Sequence, residues 1–184
     1  TKRALVETGG EMEWVSGTFG SKVTMLYPTT ILKGEGAKME YLGMSLASGE
    51  QILDSGAKAI CLADNTSAII RSKSVSKNGG VSMTKTLAKV GKGVKGVKAY
   101  IDCKSLILDN ESRAYAEPMV DVNSGEAEVT HEASVGKLSE EILYYLATRG
   151  IGEEKAKEIL IRGFSEEITK ALPLEYAMEM NNLI

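Results

Sequence analysis

GAKMEYLGMSLASGEQILDSGAKAICLADNTSAII, residues 36–70, carries the pattern that decides the fold. Ala37-Lys38-Met39-Glu40-Tyr41-Leu42, Ala57-Lys58-Ala59-Ile60-Cys61-Leu62 and Ser67-Ala68-Ile69-Ile70 have the period of half-buried β-strands. Lys22-Val23-Thr24-Met25-Leu26 reads the same way. Gly-Ala-Lys occurs at Gly36 and again at Gly56, 20 residues on, and Gly20-Ser21-Lys22 stands 16 residues before the first. That is an irregular repeat of solenoid-coil length. Nothing between residues 17 and 136 reads as an amphipathic helix.

Composition agrees. The 184 residues suffice for a core, and 43% hydrophobic with 26% charged residues excludes disordered and collagen-like classes. Gly is enriched (19 residues) and aromatics are only 5%, which suits tight turns around a thin aliphatic core better than a sandwich. No apolar run reaches the ~18 residues of a membrane helix. A net charge of −3 removes the bulk electrostatic case for nucleic acid. No secretory leader precedes Arg3-Ala4-Leu5-Val6, which already reads as a strand; the expectation is a piece of a longer cytoplasmic protein.

The period changes near residue 137, predicting a β core over 1–137 and a helical module over 138–184. Ser139 is placed to cap a helix whose first turn carries Glu140 and Glu141, with Leu138 and Leu143 as a hydrophobic staple. Gly150 ends it in a Schellman motif with Ile151 folding back on Leu146. A second helix is expected to stop at Gly163, a third to start at Ser165, and a fourth to run from Leu174 to the end. Four short helices cannot bury Ile142, Leu143, Leu146, Ile159, Leu160 and Phe164 among themselves, so part of that surface should cover the end of the solenoid. The remainder, rimmed by Glu153 and Glu154, should be a partner-docking face.

Charge is uneven. Residues 71–104 hold nine bases against Asp102 alone. Lysines at outward strand positions account for this, and with Tyr100 the single aromatic there, a nucleic-acid stacking platform is not supported. Cys61 and Cys103 are expected as free thiols. Alternation puts Ala99, Ile101 and Cys103 on one strand face, the setting of a small buried hydrophobe. His131 shares the parity of Val129 and Ala127, and Glu132 faces the other way. No catalytic triad, paired-carboxylate or phosphate-loop pattern is present, so the residues alone leave function open.

The run HEASVGKLSEEILYYLATRGIGEEKAKEILIRGF from His131, followed by LPLEYAMEMNNLI from Leu172, resembles the C-terminal end of the SufB/SufD family of iron–sulfur cluster assembly proteins. Upstream, TKRA at Thr1, the GS-x-x-T-x-x-YP run from Gly20 and NTSAIIRSKSVS from Asn65 resemble the same family's core, so the likeness covers nearly the whole chain. It is closer to SufB, because Cys103 and Glu132 fall where SufB has its cluster-linked cysteine and glutamate; His131 belongs to the same motif. Two features depart from the family. Cys61 stands where SufB-like chains tend to carry His, and the upstream sulfur-accepting cysteine has no counterpart.

The resemblance implies a right-handed parallel β-helix followed by a helical module. It implies a non-enzymatic scaffold that assembles a transient iron–sulfur cluster and passes it to recipient apo-proteins. Cys103 and Glu132, with His131, would be the ligands. Partners would be a SufC-type ATPase, docked on Ile159, Leu160, Phe164, Glu153 and Glu154, and a second scaffold chain, either identical or SufD-like. A cluster needs about four ligands, more than one such chain offers, so the cluster would sit between two chains. The alternative is a β-solenoid interaction protein of the same descent without cluster binding; a polysaccharide-active β-helix is the more distant one.

Overall fold

In the computed structural model, which describes residues 2–183, the chain alternates between two parallel sheets. The strands are β1 (Arg3–Val6), β2 (Glu11–Thr18), β3 (Val23–Leu26), β4 (Thr29–Leu32), β5 (Lys38–Ser48) and β6 (Ile52–Ser55). They continue as β7 (Lys58–Cys61), β8 (Ser67–Lys77), β9 (Val81–Val90), β10 (Lys98–Ile107), β11 (Arg113–Val122) and β12 (Glu128–Lys137). A five-stranded sheet runs β2-β5-β8-β10-β12; the other strands form a seven-stranded sheet opposite it. This is a β-solenoid of about five turns followed by three helices.

Glu11, Lys38, Ser67, Lys98 and Glu128 stack in register, so one coil takes about 30 residues. The coil is longer than the Gly-Ala-Lys spacing suggests. Gly36 leads into β5 and Gly56 into β7, in different sheets, so the repeated tripeptide marks two sides of one coil. The seven-stranded sheet is broken at Pro28, which has no N–H to donate, and at Gly56. Gly56 has φ +156°, and a Cβ there would lie 1.8 Å from the Lys85 carbonyl oxygen. β9 runs unbroken past that step, pairing β6 through Val81–Thr84 and β7 through Leu87–Val90.

Two apolar layers hold the structure. Inside the solenoid, Leu32, Tyr41, Ile70, Val90 and Ile101 pack with both cysteines. On the outer face of the five-stranded sheet, Leu42, Met44, Leu46 and Val75 pack against the helices through Ile161, Ile168 and Met180. The helical module therefore lies on the flank of the solenoid, not over its end. The reason is local: every residue from Tyr41 to Ala47 is buried, so β5 is apolar on both faces and needs a cover outside as well as a core inside.

There are three helices among the described residues, not four: α1 (Glu140–Thr148), α2 (Glu153–Ala171) and α3 (Leu174–Leu183). Ile184 lies outside the described residues. α2 runs straight through Gly163, whose added Cβ would meet nothing within 4 Å. A helical Gly costs about 1 kcal/mol, less than the burial of Ile161 and Ile168 on either side of it returns. Ser165 is buried inside this helix, its hydroxyl donating to the Arg162 carbonyl at 3.1 Å, and does not cap a new one. The α1 end matches the sequence: Gly150 has φ +81°, and the Ile151 N–H donates to the Leu146 carbonyl at 3.1 Å. Ser139 stands at the N-cap, although its side chain makes no capping bond.

Most of the basic stretch lies at outward strand positions, while Lys92 and Lys95 stand in the turn between β9 and β10. Lys85 pairs with Asp54, Lys89 with Asp121, Lys95 with Glu126 and Lys104 with Asp102. Arg71 and Lys73 meet Glu167 of α2 at 3.5 and 3.0 Å, and Lys73 lies over the Phe164 ring.

Candidate functional site

β10 is the last strand but one of the five-stranded sheet, between β8 and β12. Cys103 sits in its middle, faces the interior and is 0% exposed. Its in-register neighbours are Ser72 on β8 and Ala133 on β12. Across the lumen, the Thr86 hydroxyl on β9 is 3.7 Å from the sulfur. Burial pushes the Cys103 thiol up, the contact with Thr86 pulls it down, and the charge of Asp102 adds to the rise. Tyr41 shares this face; burial raises its phenol to about 12, a contact with Ser16 opposes the rise, and Cys103 adds to it. Gly43 makes room for that ring, since a Cβ there would fall 2.3 Å from the Tyr41 hydroxyl.

The lumen around Cys103 is lined with hydroxyls. Ser74 donates to Ser105 at 2.8 Å, Ser82 donates to Ser74 at 3.2 Å, and Ser76 and Ser82 are 2.8 Å apart. Alternation along a single strand could not show this encounter of hydroxyls from opposite sheets.

β12 is the terminal coil. Its residues are almost all exposed, and among the described residues no strand pairs its far edge. His131 registers with Ile101 and so belongs to the inner face; Glu132 registers with Asp102 and belongs to the outer one. The structure therefore brings His131 and Cys103 to one side of the sheet and places Glu132 on the other. Asp102, alongside Glu132, was noted from sequence only as the lone acid in a basic stretch. It is 8% exposed, bonds Lys104 through Oδ2 at 3.0 Å, and has no partner for Oδ1 among the described residues. Its hydrogen bond and charge raise the Lys104 ammonium, and the Glu132 charge adds to this. No three His, Cys, Asp or Glu side chains among the described residues are grouped to hold a metal ion.

Cys61 is fully buried in the seven-stranded sheet, in register between Leu32 and Val90, and both cysteines are free thiols. Burial raises the Cys61 thiol and a contact with Thr66 lowers it.

The expected docking residues divide. Ile159 is 41% exposed, and Glu153 and Glu154 are exposed, although both pair with Lys157. Leu160 is half-buried, and Phe164 packs inward on the sheet. The larger exposed apolar groups lie elsewhere on the module: Ile142, Tyr144 (74% exposed) and Tyr145 on α1, and Leu174, Tyr176 and Met178 on α3.

The model of the SufBD core domain, described as SUF system FeS cluster assembly, matches residues 1–164. This chain belongs to the SufBD family. It is 50% identical over all 184 residues to proteins named iron-sulfur cluster assembly SufBD family protein from Staphylococcus epidermidis ATCC 12228, Staphylococcus aureus USA300 and Staphylococcus haemolyticus JCSC1435. It spans 40% of the length of each of those SufBD proteins. No helix among the described residues is long and apolar enough to cross a membrane.

Proposed function

We propose that this SufBD chain is the core of a cytoplasmic, non-enzymatic scaffold subunit that assembles an iron–sulfur cluster and releases it to recipient apo-proteins. The observation that carries the reading is the terminal coil: Cys103 lies one rung beneath a strand whose far edge no strand pairs among the described residues and whose inner face presents His131. An unpaired edge is a template for another strand. A second scaffold chain, identical or SufD-like, would cover it and contribute the ligands that this chain lacks. Cys103 and His131 would bind from the inner face, and Glu132 would act from the rim. A set completed only between chains is labile, which suits delivery.

The helical module would dock a SufC-type ATPase through Ile159 and the exposed residues of α1 and α3, with Glu153 and Glu154 at the rim. Leu160 and Phe164 would support that face from within.

Anaerobic reconstitution with iron and sulfide tests the reading on the wild-type chain and on Cys103→Ser, Glu132→Gln and Cys61→Ser. Cys103→Ser should lose the visible absorbance and bound iron, and Cys61→Ser should keep both. The full burial of Cys103, with Glu132 on the opposite face, favours a second reading as an interaction solenoid that holds no cluster. Failure of the wild-type chain to retain iron and sulfide would select it.

A further inference from the structure

We propose that the outer face of the seven-stranded sheet is a two-fold interface between copies of this chain, separate from the β12 edge. Alternation sends Leu53, Ser82 and Thr84 inward, so Val23, Met25, Ile52, Met83 and Tyr115 point out. Met25 is 73% exposed. Val23 and Ile52 form one column across the strands; Met25, Met83 and Tyr115 form the next, interrupted by Asp54. A contiguous exposed apolar patch marks an interaction site. On the opposite sheet the corresponding face, with Leu42, Met44 and Val75, is covered by the helices.

Charge names the occupant. Two outward lysines of β9 pair within the chain, Lys85 with Asp54 and Lys89 with Asp121. Arg113 and Glu117 of β11 differ: both are exposed, and neither has an ion pair among the described residues. Each stands two residues from Tyr115 on the same face, so they are about 13 Å apart and cannot meet each other. A two-fold axis between two such faces, parallel to the solenoid axis and passing by Tyr115, reverses strand direction and keeps the rungs level. It sets Arg113 against Glu117 of the second copy at two places, with Tyr115 against Tyr115 and Met83 against Met83 between them. The face is complementary to itself, as an isologous contact requires.

Asp54 shares the column but is 4% exposed and held by Lys85, so it stays beneath the contact. The rungs of β3, β6, β9 and β11, about 4.8 Å apart and up to ten residues long, give a flat face of about 600 Å². A standard interface takes about 800 Å² per partner, so the scale is right. Both terminal coils stay uncovered in this arrangement, so it is compatible with a contact at β12.

Sedimentation equilibrium of the wild-type chain over a concentration series should show monomer and dimer. Arg113→Glu and Glu117→Arg each set like charges face to face at two places and should weaken the dimer by about tenfold or more. Both substitutions in one chain, or a mixture of the two single variants, again join opposite charges and should restore dimerisation to within about threefold of the wild type. Both side chains are exposed, so the fold should persist, which far-UV circular dichroism checks. Facing sheets lie about 10 Å apart, beyond the reach of a disulfide. Tyr115→Cys should therefore be cross-linked to its own copy by a short bismaleimide, with Cys61 and Cys103 too buried to compete. A monomeric wild-type chain, a dimer indifferent to the single reversals, no recovery in the double variant, or a dimer that Tyr115→Cys does not cross-link would overturn the proposal. No readout involves a cluster, so failed reconstitution would sink the scaffold reading and leave this result standing.

Discussion

Gly43→Ala should destabilise the solenoid by a steric route that can be worked from the structure. Gly43 lies in the inward column that runs from Ser16 through Ser72 to Cys103. An added methyl would lie 2.3 Å from the Tyr41 hydroxyl oxygen and 2.5 Å from two ring carbons. Ordinary contact would require the ring to retreat by about 1 Å, yet Tyr41 is 1% exposed in a close-packed layer and cannot do so without displacing neighbours. Overpacking of this kind costs about 1–3 kcal/mol. In a chain of this size, about 2 kcal/mol lowers Tm by about 4–8 °C. Urea and thermal unfolding of the wild type, Gly43→Ala, Tyr41→Leu and the double variant separate the clash from other effects. Tyr41→Leu should absorb most of the Gly43→Ala penalty, with a coupling of about 1 kcal/mol or more. Additive losses, or a Gly43→Ala chain as stable as the wild type, would refute the reasoning.

Phe164→Ala should loosen the helical module, removing a ring that packs on the flank and lies under Lys73; a loss of about 2 kcal/mol should appear as faster amide exchange in α2 and α3 before β8 and β10 respond. Burial raises the Asp109 carboxyl, but the N–H groups of Ser112, Asn78 and Glu111 and the Ser112 hydroxyl outweigh it, so the net shift is downward. Its contribution is therefore full above the ordinary carboxylate pKa and is lost as pH falls through the lower folded value. Asp109→Asn should cost about 1–2 kcal/mol at pH 7 in urea unfolding, and the gap to the wild type should narrow below about pH 4. Under the docking proposal, Ile159→Asp together with Tyr144→Asp should weaken ATPase binding at least tenfold in a sedimentation or interferometry assay, whereas raised salt should mainly slow association.

The strands were legible because one lumen imposes one rule: alternation along β5, β7 and β8 sends alternate side chains inward. What that rule cannot show is which strands stack. The register is set by turns of unequal length, so Gly36 and Gly56 looked like successive coils while standing on two sides of the same one. The flanking position of the helices was less legible for a related reason. Leu42, Met44 and Leu46 break the alternation, and that break is the only local sign that β5 is covered on both faces. Gly163 was misleading because propensity is a small quantity against the anchoring of a long helix by Ile161 and Ile168. At the site, parity alone separated Glu132 from His131 and turned Cys103 inward. Thr86 could not be found by spacing, since its approach to Cys103 depends on the separation of the two sheets.

The burial of Cys103 bears on how a cluster scaffold of this shape would work. An inward thiol within a complete coil is inert, because desolvation keeps it protonated and closed backbone keeps metal away. Cys103 is in that position while β12 covers it. Among the described residues its coil is followed by only one more rung, and the residue directly above it there is Ala133, the smallest side chain that keeps β geometry. Displacing that single rung, β12 with its exposed face and an edge that no strand pairs among the described residues, would open the sulfur at the mouth of the solenoid and carry His131 with the moving strand, while β8 and the other earlier coils keep their registers. The terminal strand leads directly into the helical module: β12 ends at Lys137 and α1 begins at Glu140. α2 is in turn tied to β8 through Glu167, Arg71 and Lys73. Under the docking proposal, a force applied to α1 by an ATPase would act on β12 from its C-terminal end, while the contacts of α2 hold β8. Shear between these two strands passes through β10, the strand that carries Cys103.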